Sequence, residues 1–327
     1  MKKEKIPQPL LDELSETIQS LIPVHSIYLL GAQRVETVYT QFLREKPARQ
    51  TDDHYEFILL VISQKDIWST ESFMDAVYSR TKQKAKVFSI HYTYKDVLKK
   101  LDYGDPFLTK VTNPENLLWQ KEPINFLDPG EFTYQEVADE WNRRMNRATY
   151  FRDKANLMDA VDDETARMEV IHQVVLHSSI ALLWVYMQFR PQHFDLEVLL
   201  KLGKMVSKSP DIILPEQSYE SQKVFQYLKE SHFNLMYRTE PFIPYQDVDD
   251  ALDRAIIFFG QVQEEGEAIL ERLKSGESTW SPITGVSADN TETLKTIKKT
   301  QSKGKASEKK KSPKKKASPV SKKEKGK

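Results

Sequence analysis

Glu56 is the residue best placed by its type and setting to do chemistry. It lies in a near-continuous apolar run, residues 55–62 (YEFILLVI), that predicts a buried β-strand. A shorter run, residues 27–30, precedes it and ends in Gly31-Ala32-Gln33, read as a glycine turn. A turn followed by a strand is where phosphate-handling folds place metal-binding carboxylates. Two-metal chemistry needs two acids alternating along a strand, so that both face one side. Alternation here pairs Glu56 with Ile58 in one direction and with His54 in the other. A lone carboxylate is a poor seat for two metal ions. His54 and His91, at the ends of neighbouring predicted strands, would complete a mononuclear set with Glu56. The competing reading is that both histidines are exposed strand ends. The expectation is no metal.

A second group of candidates sits at the C-terminus. Residues 295–327 hold 15 Lys, no Arg and two acids, while the whole chain of 327 residues has 48 bases and 48 acids. The formal net charge of zero therefore divides into −13 for residues 1–294 and +13 for the remainder. Lys309, Lys310, Lys311, Lys314, Lys315 and Lys316 form the densest cluster, with Ser-Pro at 312–313 and again at 318–319. Lysine without arginine or aromatic residues makes point-charge contacts to phosphate and reads no base. The segment lacks the apolar residues for a core, so it is expected to be a disordered tail. It would contact RNA or DNA without regard to sequence, or serve as a solubilising tail, or fold back on the acidic body.

The elements that must position these residues divide near residue 131. Before it, strands alternate with helices, as in a small α/β domain. The predicted order is a helix with Leu10, Leu11, Leu14, Ile18 and Leu21 at helical spacing, then a strand at 26–30. A helix at 35–43, a polar loop at 46–53 and the strand at 55–62 follow. A helix at 72–84, a strand at 85–91, a short helix at 94–101 and a fourth strand at 116–119 complete this half. After it, five helices are predicted: 134–158, 164–189, 195–206, 218–236 and 246–273. Antiparallel packing of their apolar stripes would make a bundle. The fold class expected is α+β, with domains at 1–131 and 132–274 and a tail at 275–327.

Composition closes off several classes. There are no cysteines, which excludes disulfides, cysteine metal sites and a cysteine nucleophile. The N-terminus lacks an apolar stretch of signal-peptide length, and the longest apolar runs fall short of the ~20 residues a membrane span needs. A cytoplasmic protein without membrane contact is expected.

The first half resembles the minimal nucleotidyltransferase fold, on Tyr28-Leu29-Leu30-Gly31, the strand at 55–62 and the strand at 86–91. That resemblance implies a Gly-Ser turn and three acids; here Ala32 stands for the serine, Ile58 for one acid, and the neighbouring strand has none. It leaves Gly31, Gln33 and Glu56 as nucleotide-binding candidates. The second half, residues 132–273, resembles HEPN domains. The stretches that carry this are Val170-Ile171-His172-Gln173, the run from Phe189-Arg190-Pro191 to Leu196, and Tyr237-Arg238-Thr239-Glu240-Pro241. Active members use an Arg, then four to six intervening residues, then a His, facing a second subunit. Arg238 matches the Arg, but positions 243–245 hold Ile243, Pro244 and Tyr245. Tyr245 and His232 are the replacement candidates for the missing base. The resemblance implies a catalytically degenerate HEPN domain-containing protein that binds nucleotide or RNA in a defence, toxin–antitoxin or regulatory setting. It also implies a homodimer through the bundle and no cofactor. The alternatives are a divergent metal-independent ribonuclease using Arg238, and a scaffold tethered to nucleic acid by its tail.

Overall fold

The computed structural model describes residues 6–41, 48–67, 69–124, 132–158, 163–192, 194–214, 218–237 and 243–276. Within them the chain is mixed α+β, with one four-stranded sheet and ten α-helices. Helix α1 (Gln8–Leu21) buries Leu10, Leu11, Leu14 and Ile18, the stripe expected from the sequence, and ends before Pro23.

The first correction follows at once. Strand β1 (Val24–Gln41) runs straight through Gly31 and pairs antiparallel with β2 (Ala48–Ser63), from Val24 opposite Ser63 to Gln41 opposite Ala48. Gly31 lies opposite Ile58 beside a register shift, so the expected glycine turn is an irregularity inside a strand. The helix expected at 35–43 and the loop expected at 46–53 are instead largely the two arms of this hairpin. Val35, Thr37, Val38, Tyr39 and Thr40 are β-branched or aromatic residues and favour the strand. Their apolar members happen to fall at helical intervals, which misled the periodicity.

The rest of the sheet follows the expected alternation. Helix α2 (Thr70–Arg80), capped by the Ser69 side chain, carries the chain over to β3 (Ala85–Thr93), which lies parallel to β2. Helix α3 (Tyr94–Asp102) and a helix not anticipated, α4 (Pro106–Val111), follow. Asp105 caps α4 by accepting from the Leu108 N–H at 3.0 Å. Strand β4 (Leu117–Gln120) then pairs antiparallel with β1, giving the order β3-β2-β1-β4.

The second half begins with α5 (Tyr134–Leu157), whose start is a capping box between Thr133 and Glu136. Helices α6 (Glu164–Met187), α7 (Leu196–Gly203) and α10 (Tyr245–Lys274) lie within a residue or so of the expected N-terminal bounds. The single helix expected at 218–236 is two, α8 (Tyr219–Lys229) and α9 (Ser231–Tyr237). At the break, buried Ser231 donates its hydroxyl to Glu169 on α6 at 2.8 Å.

Helix α6 is buried nearly all round. One face (Met168, Ile171, Val175, Leu182) packs with α5, α8 and α10; the other (Leu176, Ile180, Leu183, Met187) packs on the sheet beside Leu60, Ile62 and Phe88. The two halves therefore share a core built around one helix. Leu59, Val61 and Val87, on the opposite face of the sheet, pack with α1 and α2. Contrary to the sequence expectation, α6 is long and apolar enough to cross a membrane, because its charges cluster in the first turns. Its apolar window is 83% buried inside the fold, as the core helix of a folded domain would be.

Candidate functional site

The hairpin and α7 meet at a small pocket. Asp195 caps α7, accepting from the Val198 N–H at 2.9 Å, and Leu196, Leu199, Leu200 and Leu202 bury its inner face. Burial of those leucines leaves Glu197, Lys201 and Lys204, spaced i, i+4 and i+7, as a single charged stripe. That stripe crosses the sheet. Glu197 bonds Lys86 on β3 at 3.2 Å, and Lys201 Nζ donates to Glu56 Oε2 on β2 at 2.8 Å. Lys204 pairs with Asp211 and faces β1.

A cavity of about 210 Å³ opens there, lined by Gly31, Gln33, Glu56, Phe88, Lys201, Lys204 and neighbours. All three nucleotide-binding candidates from the sequence thus lie in one pocket. Phe88 forms an aromatic wall, with Lys201 Nζ 5.3 Å from its ring centre. Gly31 permits the close approach of the bundle: a Cβ there would stand 2.8 Å from the Met205 sulfur. The lysines and Met205 were not singled out from the sequence. Their one signal was the polar stripe of α7, since Lys201 and Glu56 are 145 residues apart.

The metal expectations resolve on the strand register. Glu56 and Ile58 do share the pocket, and Lys201 supplies the cation at the carboxylate. His54 precedes Tyr55, which pairs with Ala85, so His91 lies seven positions further along the sheet, about 23 Å away. It also points to the other face, against Phe73, and bonds Ser89 Oγ at 2.7 Å. His54, Glu56 and His91 therefore cannot form one site. Among the described residues no group of three His, Asp or Glu side chains is arranged to hold a metal ion.

A second, larger opening of about 1290 Å³ separates β3 and α2 from α6, α8 and α9. Its walls carry six carboxylates (Glu71, Asp75, Glu169, Asp195, Glu197, Glu230) against two lysines, Lys86 and Lys229. Burial disfavours charge on Glu197, but Lys229 at 2.8 Å and Lys86 overcome it and hold the carboxyl below its ordinary value. His232 lines this groove, largely exposed, with Nδ1 3.9 Å from Glu169 Oε1. His172 is buried and donates from Nδ1 to the Leu228 carbonyl at 2.9 Å. His177 lies apart, stacked on Phe151, and burial together with Arg144 and Arg147 pushes its pKa down to about 4. Tyr245 is exposed at the first position of α10. Arg238, His193 and the tail lysines lie outside the described residues.

No protein-family model matches this chain, and no curated protein matches it.

Proposed function

We propose that the chain is a nucleotidyltransferase-like unit joined to a HEPN-like bundle, and that it binds a nucleotide without turning it over. The observation that carries this reading is the convergence of Gly31, Gln33 and Glu56 with Lys201 and Lys204 in one pocket. Lys201 is held by Glu56 and Lys204 by Asp211, which lies outside the pocket lining, so an anionic ligand would be met by Lys204 in exchange for Asp211. Phe88, buried beneath Lys201, adds an apolar patch to the pocket wall. Glu56 is already neutralised by Lys201, which removes the need for a metal ion there and, with it, the means of phosphoryl-transfer chemistry. Calorimetric titration of the full chain with nucleoside mono-, di- and triphosphates tests this. Binding is expected to survive EDTA and to weaken at least about tenfold in Lys204→Gln, the loss of a charge-assisted contact. Absence of binding by every nucleotide, or binding untouched by that substitution, would end the proposal.

Metal-independent RNA cleavage is the second reading, favoured by the placement of His232 beside Glu169 on an open groove. Glu169 can orient the imidazole as a general base, with Arg238 steadying the phosphate. The same groove argues against it, since six carboxylates repel a phosphate backbone. Cleavage of RNA by purified protein that disappears in both His232→Ala and Arg238→Ala would establish it; inert protein would not. Dimerisation belongs to the first reading, and Phe233, Met236 and Tyr237 on α9 expose apolar surface suited to it. Light scattering would read the mass directly.

A further inference from the structure

The acidic groove has a chemistry that the nucleotide pocket does not use. Its six carboxylates and two lysines leave it net negative, and Glu71 and Asp75 on α2 form no ion pair among the described residues. A different kind of observation comes from His172. This residue is only 8% exposed, and its Nδ1 must carry the proton, because its partner is the Leu228 carbonyl. The other nitrogen, Nε2, can accept in the neutral form of the ring, and it has no hydrogen-bond partner among the described residues. Nε2 is open to the groove and can accept from a donor that enters it. Phe194 and Phe233, each 53% exposed, line the same groove and offer ring faces suited to cations. Carboxylates, a bare imidazole nitrogen and two aromatic faces together describe a site for ammonium groups.

This chain supplies such groups itself. We propose that the lysine cluster of residues 309–316 docks in the acidic groove of the same chain. Charge complementarity identifies the occupant: a +13 segment attached to a −13 body. Reach permits it. Helix α10 ends at Lys274 and is 30 residues long, about 45 Å. The 34 residues from 275 to 308 span up to about 110 Å when extended, more than the length of α10. Lysine is the fitting side chain, since its compact ammonium presents three donors to carboxylate and imidazole alike. Nucleic acid is disfavoured in this groove by the same carboxylates. Docked there, the tail would be withheld from any phosphate polymer until that polymer competed for it.

The absence of cysteine allows a single label. Ser312→Cys in the full chain, carrying a fluorescent dye, reports tail motion by anisotropy. At low salt the anisotropy is expected to be high and independent of protein concentration. It should fall at about 0.5 M salt, where screening shortens to a few ångströms. Glu71→Lys with Asp75→Lys should lower it at low salt to the high-salt value. Asp12→Lys with Glu16→Lys, an equal charge change on exposed positions of α1, should leave it unchanged. The proposal is overturned if the two double variants behave alike, or if the groove variant has no effect. An anisotropy that depends on concentration in wild type but not in the groove variant assigns the groove to the tail of a second copy and overturns the same-chain arrangement. If a short DNA duplex binds wild type and groove variant with equal affinity, the tail is a free nucleic-acid tether and the groove does not hold it. An affinity several-fold higher for the groove variant supports the docked state.

Discussion

The pairing of Glu56 with Lys201 decides what this pocket can do. The Glu56 side chain is 12% exposed and meets the Lys201 ammonium at 2.8 Å, itself only 22% exposed. Lys201→Met would leave Glu56 half-buried and without its cation. A loss of about 1–3 kcal/mol is expected, readable as a lower urea midpoint. Adding Glu56→Gln should return part of that loss, since the unpaired charge goes with it. Equal midpoints for the single and double variants would show that the ion pair is incidental. His177 offers a test by pH. Its folded pKa, near 4, lies below the ordinary value of about 6.5, so the unfolded chain takes up the proton first. Its contribution is therefore complete above pH 6.5 and is lost as pH falls from there toward 4. His177→Phe keeps the stacking on Phe151 and should flatten urea midpoints across that window. His25, lowered in the same direction chiefly by burial, retains its own share, so the slope should shrink without vanishing.

Helix α5 and helix α10 meet at a contact that tolerates no side chain. A Cβ on Gly266 would fall within the six-membered ring of Trp141, which is 2% exposed and pinned in the core. Gly266→Ala is expected to cost about 1–3 kcal/mol through overpacking, despite the higher helix propensity of alanine. Thermal melts would show it, and an unchanged or raised Tm would mean the ring has room to move. Trp141 lies on α5, whose start Thr133 and Glu136 mark locally, while α10, which carries Gly266 and has no side-chain cap, was placed by its apolar spacing and the prolines before it. The hairpin of β1 and β2 was not legible for an equally physical reason. Val35, Val38 and Tyr39 satisfy helical spacing and strand propensity at once, and only cross-strand pairing decides between them. The site was half legible. Gly31 and Gln33 could be chosen from one apolar run and its glycine and Glu56 from the next run, whereas Lys201 and Lys204 become their neighbours only through α7 packing on the sheet. The break between α8 and α9 was hidden in the same way: beside it Ser231 donates to Glu169 of another helix, a contact that no local pattern announces.

Whole-molecule behaviour follows from α6 and from the stripe on α7. Lys86 of β3, Glu197 of α7 and Lys229 of α8 form a chain of ion pairs that ties sheet to bundle. Glu197 is held below its ordinary pKa, so its contribution is present above about pH 4.3 and is lost as pH falls through the lower folded value. Glu197→Gln should cost about 1 kcal/mol at neutral pH for a partly exposed network, and the difference from wild type should close in acid. The stronger tie is apolar. Because α6 packs one face into the bundle and the other onto the sheet, neither half can lose its partner without exposing Leu176, Ile180, Leu183 and Met187. A chain that reads as two domains should therefore unfold in one transition. Trp119 reports on β4, and Trp141 and Trp184 report on the bundle. Variants retaining tryptophan on only one side are expected to give coincident urea midpoints by fluorescence, matching the loss of helix by circular dichroism. Glu197→Gln should move both probes together. Separate midpoints for the two sides would mean that the shared face of α6 does not couple them, and that the sheet and the bundle fold as independent units.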